Sequence, residues 1–567
     1  MKQFNKVKLT HLFYALILLV AVFLRLVNLG TVPLTNNEAQ HALCVLDAQR
    51  DDCENYSRLY IFFTDIFFKI FGTNNGSARM LPALLGSTIV LIPLLLSSVV
   101  ERKTGILLAM CLALDPLLMQ TSRSADDTML GIVFVLFFLA FFLHRKVTAA
   151  LITFAFGLLG GRSFWIGLVI LGLATGVTWL LTHREMRAEL NAKIGKVRLG
   201  GKESRYLFLT LFLFWIGIST RMFNDVGGLL SPLKSLLDIF PGAGTQRGTS
   251  AFSTDVRLIV FLFYSFYAIS FSISALFHSN SDQKRRDIFL LVWILSGILI
   301  FLIPQFPFSQ AAWVSIAMWV LAAGRMMQIG SSAWRERKPL ILPVLVGLTI
   351  LVFLSFQLLR LQYLLSAGLD LSLNLTLLIT PMLLCLLFIL LYAYGWSKPR
   401  AVQVLSILFI ICGAVALLRN ANRSSNLTGT HAYELVQEDS FFKNQDILIE
   451  RIENYRNARG MPQGEVTIAI CMDEPGERWE WVLRDYSVTV TDDISEETSN
   501  DYDMMIMRAD STQDFPRHES ENLVLSGEVA WVRDDFSGFL PEEILEWLIY
   551  RTATLKTTSY AVWYKSL

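Results

Sequence analysis

Charge is what this chain has least of: 17% of its 567 residues are Asp, Glu, Lys or Arg, against 53% hydrophobic ones, 40 Phe among them. That balance is too apolar for an ordinary soluble protein, and no nucleic acid is expected among the partners. Cysteine is scarce too, six in all, too few for a disulfide framework. Cys111, Cys385 and Cys412 lie in apolar runs as small core hydrophobes. Cys44 and Cys53 share one loop and could pair in an oxidising compartment. There is no internal repeat of fixed period and no low-complexity tract.

Long apolar runs are what the chain has instead. Thirteen span or nearly span a bilayer: residues 11–29, 81–100, 106–120, 128–143, 149–159, 164–182, 206–218, 258–277, 288–303, 311–327, 340–358, 371–394 and 401–418. They predict a mainly α-helical polytopic membrane protein with about 13 transmembrane helices. The first run lacks a small-residue cleavage site and reads as an anchor, not a removed signal peptide. The run 149–159 can cross only by tilting or by thinning the bilayer. Residues 58–71, RLYIFFTDIFFKIF, are broken by Asp65 and Lys69 and predict a helix lying in the interface.

Every second connection is basic: Lys2, Lys6 and Lys8; Arg102 and Lys103; Arg145 and Lys146; the run 184–205; Lys284 to Arg286; Arg335, Arg337 and Lys338; Lys398 and Arg400. Basic short loops stay cytoplasmic. The expected orientation in the plasma membrane is therefore a cytoplasmic N-terminus and an extracytoplasmic C-terminal domain. The net charge of +1 hides a division at His431: residues 431–567 hold 28 acidic and 12 basic residues, which leaves 20 and 37 before them. Two domains are expected, a membrane domain over 1–420 and a soluble one over 431–567. In the second, β-like runs at 465–471, 487–491, 504–508, 523–532 and 560–564 alternate with helix-like 478–484 and 541–551, a small α/β domain. It has no glycine-rich phosphate loop, metal-spaced Cys/His set or nucleophile elbow, so no chemistry is assigned to it.

The stretch around which the rest is organised is residues 32–50, VPLTNNEAQHALCVLDAQR, with Glu38 beside Asn36, Asn37 and His41. A carboxylate at membrane level is costly to desolvate without a partner or a task. The expected topology gathers Glu38, His41, Arg79, Asp115, Arg123, Asp126, Asp127 and Arg162 at the same outer face. Arginines suit bidentate capture of phosphate, and carboxylates can take a proton or hold a divalent cation. A phosphate-linked substrate follows, held at membrane level by a lipid tail. Structural roles compete with each assignment. Glu38 can cap the first turn of a helix over TNNEAQHAL; His41 can be a structural histidine; Arg79 and Arg162 can snorkel to headgroups. Asp115 before Pro116 can mark a span end, Asp126 and Asp127 a helix end, and Arg25 can reach the interface. The loop 219–255, with Gly227, Gly228, Pro232, Pro241, Gly242 and Gly244, is long enough to predict a lid or an acceptor-binding flap.

An N-terminal span, a loop of form PLxxxEA, a helix ending in FG, then SARMLPALLG and LDPLLMQTSRSADDTMLG resemble the multispan lipid-linked glycosyltransferases of the GT-C class. The branch resembled is that of the protein O-mannosyltransferases and lipid A aminoarabinose transferases. The resemblance lies mainly in the first 180 residues. It implies inverting transfer of a sugar from a polyprenyl phosphate to a lipid, glycan or protein acceptor on the outer side. Glu38 matches the second position of the family's acidic doublet, whose first, usually Asp, is Asn37 here. Asparagine cannot act as a base, so the base would be Glu38 or an aspartate from another loop. Asp126 or Asp127 matches the family's second-loop aspartate. Arg79 and Arg123 match arginines near the donor phosphate, and Arg162 joins them as a candidate. A divalent cation, Mg or Mn, held by Glu38 and His41, is the implied cofactor. A non-catalytic relative assisting lipid-linked sugar flipping or glycan assembly competes with the enzyme reading, supported by Asn37. A transporter competes less well, because the ionisable groups gather at the outer surface and not at the midplane.

Overall fold

The structure is a computed structural model that describes residues 2–31, 33–47, 53, 56–97, 100–181, 202–223, 225–239, 254–278, 284–303, 306–335, 337–366, 372–395, 397–426, 438–462, 464–471, 477–491, 501–508, 523–532 and 557–565. It is a multi-pass bundle of helices with a small sheet at its C-terminal end. The first ten helices are α1 (Lys2–Leu26), α2 (Asn36–Leu46), α3 (Arg58–Phe71), α4 (Asn75–Ser87), α5 (Ile92–Leu95), α6 (Arg102–Leu114), α7 (Pro116–Arg123), α8 (Thr128–Leu143), α9 (Val147–Leu158) and α10 (Arg162–Leu181).

Among the described residues each of the thirteen apolar runs lies mainly on helix, with the run 81–100 divided among α4, a 3-10 turn over Thr88–Leu91 and α5. Among the described residues seven helices are long and apolar enough to cross a bilayer, or eight if the pair α6 and α7, bent by 54°, forms one span. Thr128–Leu143, Val147–Leu158, Leu209–Ser219 and Leu386–Gly395 are apolar but shorter. Large side chains stay exposed on these helices, such as Leu12, Leu16, Leu19 and Phe23 on α1, a surface that suits lipid and not water. Inside, Phe164, Trp313 and Trp319 join residues of α6 to α8 in the main apolar cluster.

Two breaks place the site. Pro116 has no N–H to give the carbonyl of Leu112, so the helix stops at Leu114 and restarts with Asp115 as its cap, Oδ2 accepting the N–H of Leu118 at 2.9 Å. Arg25 serves the orphaned carbonyls, donating to Leu112 at 3.2 Å and Ala113 at 3.3 Å. It is fully buried. The expectation that Arg25 reaches the interface is therefore corrected: the broken helix offers acceptors that the side chain can satisfy only by turning inward. Asp115 is buried at this break, with Oδ1 accepting from Trp319 Nε1 at 2.8 Å.

Helix α3 covers the run expected to lie in the interface. It buries Leu59, Tyr60, Ile61, Thr64 and Phe68 and leaves Ile70 and Phe71 exposed. Part of the long loop after Ser219 is described: Asp225 pairs with Arg58, and Pro232 accepts from Trp165 Nε1 at 3.1 Å. Residues 240–253, most of the rest of the expected flap, lie outside the described residues, as does most of the basic run 184–205.

At the C-terminal end the five strands β1 (Thr467–Cys471), β2 (Ser487–Thr491), β3 (Met504–Arg508), β4 (Leu523–Val532) and β5 (Thr557–Lys565) form one sheet in the order β2-β1-β3-β5-β4. The first three are parallel and β5 runs antiparallel to β3 and β4. Ile468, Ile470, Ile506 and Val562 pack on Leu448 and Ile452 of the helix Glu438–Arg459. All five expected strands are present, and the helix expected over 478–484 runs Glu477–Val482. The one expected over 541–551 lies outside the described residues.

Candidate active site

Glu38 sits in the first turn of α2, and its sequence dictates why. Thr35 is the N-cap: its Oγ1 accepts the N–H of Glu38 at 3.3 Å, and Glu38 Oε2 accepts the N–H of Thr35 at 3.0 Å, a complete capping box. The carboxylate then does more than cap. Arg79 of α4 grips it at both oxygens, Nε to Oε1 at 2.8 Å and an η-nitrogen to Oε2 at 2.7 Å. Both side chains are buried, 4% and 1% exposed. Oε1 also accepts the N–H of Ala125 at 2.7 Å. One carboxylate therefore ties α2 to α4 and to the turn between α7 and α8.

That turn carries Asp126 and Asp127, both buried. Asp126 Oδ1 accepts the N–H of Thr128 at 3.0 Å. Burial, then the neighbouring charge of Asp127, with a smaller push from Glu38, raises the Asp126 carboxyl to about 8; bonds from Thr128 and Ser309 pull the other way. The Tyr60 phenol, donating to the Ala78 carbonyl at 2.8 Å, is held above its ordinary range by burial and then by the charge of Glu38. Asp127 faces Gly161: a Cβ there would lie 1.9 Å from Asp127 Oδ2, and the residue has φ +82°, so glycine is what lets the 160–162 turn approach the carboxylate.

The three arginines expected near a phosphate are all engaged by the protein. Arg79 also donates to the carbonyls of Leu29 and Pro33, at 3.3 and 2.9 Å. Arg123 closes the end of α1, where Asn28 turns left-handed at φ +50°, by donating to the carbonyls of Leu24, Arg25, Val27 and Asn28 at 3.0, 3.1, 2.9 and 3.2 Å. Arg162 heads α10, half-buried, with its guanidinium 5.0 Å from the centre of the Phe306 ring.

His41 has its own described partners. His41 Nδ1 bonds the Asn37 carbonyl at 2.7 Å, and its ring sits edge-on to Tyr56, centres 4.1 Å apart. The Asn37 side chain is exposed. Both Glu38 oxygens are held by Arg79, so this carboxylate is poorly placed to serve as a ligand to a divalent cation. Among the described residues no group of three or more His, Cys, Asp or Glu could hold a metal. Cys44 and Cys53 are joined in a disulfide that closes the end of α2.

Sequence reading missed the residues that come from far along the chain. Ser309 and Gln310 lie in the turn before the helix Ala311–Arg335; Ser309 Oγ is 2.9 Å from Thr128 Oγ1, and Gln310 Oε1 accepts from Trp313 Nε1 at 3.1 Å. Arg257 fixes that turn, donating to the carbonyls of Phe301 and Ile303, both at 3.0 Å, and to that of Phe306. Ser and Gln beside a predicted span end are too common to signal such a role.

The arrangement has known counterparts in shape. ArnT from Cupriavidus metallidurans, without ligand, aligns with 99% of this chain and 98% of its own at a TM-score of 0.51 and 12% identity. Its undecaprenyl phosphate complex aligns over 98% of each chain, at a TM-score of 0.52 and 12% identity. The fold is the GT-C fold. The oligosaccharyltransferase of Archaeoglobus fulgidus, also of this class, aligns over 88% of this chain and 69% of its own, with a TM-score of 0.43 and 11% identity. No family model and no curated protein matches the sequence. Within the GT-C fold the acidic pair at the turn before α8 and the ion pair under it form one buried polar centre.

Proposed function

We propose that this protein transfers a sugar from a polyprenyl-phosphate donor to a lipid, glycan or protein acceptor at the outer face of the plasma membrane, with inversion and with Asp126 as the base. The observation that carries the assignment is the place of Asp126, buried in the turn before α8 next to Asp127 with Oδ1 accepting the Thr128 N–H at 3.0 Å; burial and the neighbouring charge push its carboxyl up, toward the range where a general base works best. Asp126 takes the proton of the acceptor hydroxyl as its oxygen bonds the anomeric carbon. The bond from that carbon to the phosphate oxygen breaks, and the polyprenyl phosphate leaves with the electron pair. Asp127 keeps Asp126 basic. Arg162, which follows Gly161 in the turn that approaches Asp127, is the residue we assign to the donor phosphate.

Glu38 is on this reading a positioning residue. Its oxygens accept from Arg79 and from the N–H groups of Thr35 and Ala125, so they are occupied in holding three elements together. Its bond to the Ala125 N–H sets the place of Asp126. The engagement of Arg79 and Arg123 by protein groups favours one rival, a non-catalytic relative that assists lipid-linked sugar flipping or assembly. Transfer from a panel of polyprenyl-phosphate sugars by the purified protein, with and without divalent metal, separates the two. Transfer by wild type and its loss by about 10²–10⁴-fold in Asp126→Asn supports the enzyme; no transfer from any donor gives the ground to the rival.

A further inference from the structure

The helix Glu477–Val482 belongs to two cores at once. Trp479 faces the sheet, its ring edge-on to Tyr560 with centres 5.2 Å apart. Trp481, 1% exposed, turns the other way into the cluster of Leu34, Ala39, Leu43, Tyr60 and Phe68, which surrounds α2. Its Nε1 donates to Asn75 Oδ1 at 2.8 Å, and the Arg484 guanidinium lies 4.4 Å from its ring centre while donating to the Thr73 carbonyl at 2.8 Å. Arg478 is buried and grips both residues that flank the N-cap of α2: its Nε donates to the Leu34 carbonyl at 2.7 Å and its backbone N–H to Asn36 Oδ1 at 3.2 Å.

We infer that the C-terminal domain is a working part of the site, in which Arg478 is a positioning residue that holds the first turn of α2, and through Glu38 the Asp126 turn, in register. The chain of contacts is continuous. Arg478 fixes Leu34 and Asn36, these fix Thr35, Thr35 and Glu38 cap each other, and Glu38 holds the Ala125 N–H. Burying an arginine is costly unless its donors are used, and here Nε is used on the Leu34 carbonyl, beside the N-cap of the helix that carries Glu38. The domain needs no chemistry of its own to control the reaction, since misplacing a catalytic group by about 1 Å can cost on the order of 10²-fold.

The consequence for transfer rests on the reaction proposed above; the mechanical link does not. Hydrogen exchange of the purified full-length protein reads the link directly. In Arg478→Ala, amides of residues 36–46 and 124–128 should exchange roughly tenfold faster or more, while β1 and β3 keep their protection. Because Arg478→Ala could instead unfold the sheet, Asn36→Ala leaves the Arg478 side chain in place and removes the second contact, the one to the Arg478 backbone N–H, and should give the same pattern. Unchanged exchange over 36–46 in both variants overturns the inference. Where wild type transfers sugar, Arg478→Ala should lower kcat with donor KM unchanged, and Arg478→Lys should recover part of it. Loss through KM alone would make the contact a substrate-binding feature and sink the positioning role. A wild type that transfers nothing defeats the proposed reaction but leaves the exchange result to decide the link.

Discussion

Replacing Glu38 by glutamine distinguishes a base from a strut. The substitution keeps size and removes charge, so a pure base would lose turnover and little else. In this structure Glu38 is 4% exposed and Arg79 1% exposed, joined by two bonds of 2.7 and 2.8 Å, and the described N–H groups of Thr35 and Ala125 also point at the carboxylate. A glutamine amide would aim its own N–H₂ at one of these donors and leave the Arg79 charge uncompensated. Breaking a buried pair from one side costs about 3–5 kcal/mol, much of a typical domain's stability. Glu38→Gln should therefore lower the thermal midpoint of the detergent-solubilised protein, followed by fluorescence-detected size exclusion. The double variant Glu38→Leu/Arg79→Met leaves no bare charge and should unfold less readily than Glu38→Gln alone. If Glu38→Gln keeps the wild-type midpoint and loses only kcat, Glu38 is the base and the reasoning fails.

Three other perturbations follow from single contacts. Arg123→Gln should destabilise the protein, because the carbonyls of Leu24, Arg25, Val27 and Asn28 lose their donor at about 1–3 kcal/mol for each one left unpaired; a normal thermal midpoint with weakened donor binding would restore Arg123 to the phosphate. Gly161→Ala should cut transfer sharply, since the new Cβ meets Asp127 Oδ2 at 1.9 Å and φ is +82°; activity within twofold of wild type, or about that, would show the turn gives way cheaply. Replacing Cys44 and Cys53 by serine opens a bridge spanning 9 positions and should cost about 2–4 kcal/mol, read as a lower melting point; no change would show that packing alone holds the end of α2.

The helical bundle was legible because apolar runs are local signals: the residues 75–95 and 162–181 announce themselves by composition. The strands of the C-terminal domain were legible for the same reason, their alternation being written in five to ten residues. The membership of the site was legible in part. Glu38, Arg79, Asp126 and Asp127 were picked out, and the structure brings them to one centre, but their division of labour was not readable. Whether Arg79 meets a phosphate or Glu38, and whether Arg123 meets a phosphate or the end of α1, depends on distances across helices that no periodicity encodes. Arg25 was misread because its acceptors exist only once Pro116 has broken a helix nearly ninety positions away. Ser309 and Arg478 reach the site across 181 and 444 positions, a separation at which sequence pattern carries no information about contact.

The dependence of transfer on pH tests the assignment of Asp126 most directly. A base must be deprotonated to act, so with its carboxyl raised to about 8 the wild-type rate should climb as pH rises and level off above that value. Asp127→Asn removes the neighbouring charge that raises Asp126, so the same limb should move to lower pH, and Asp126→Asn should abolish the limb with the activity. A limb near the ordinary carboxylate range of about 4, or one that survives in Asp126→Asn, would contradict the account.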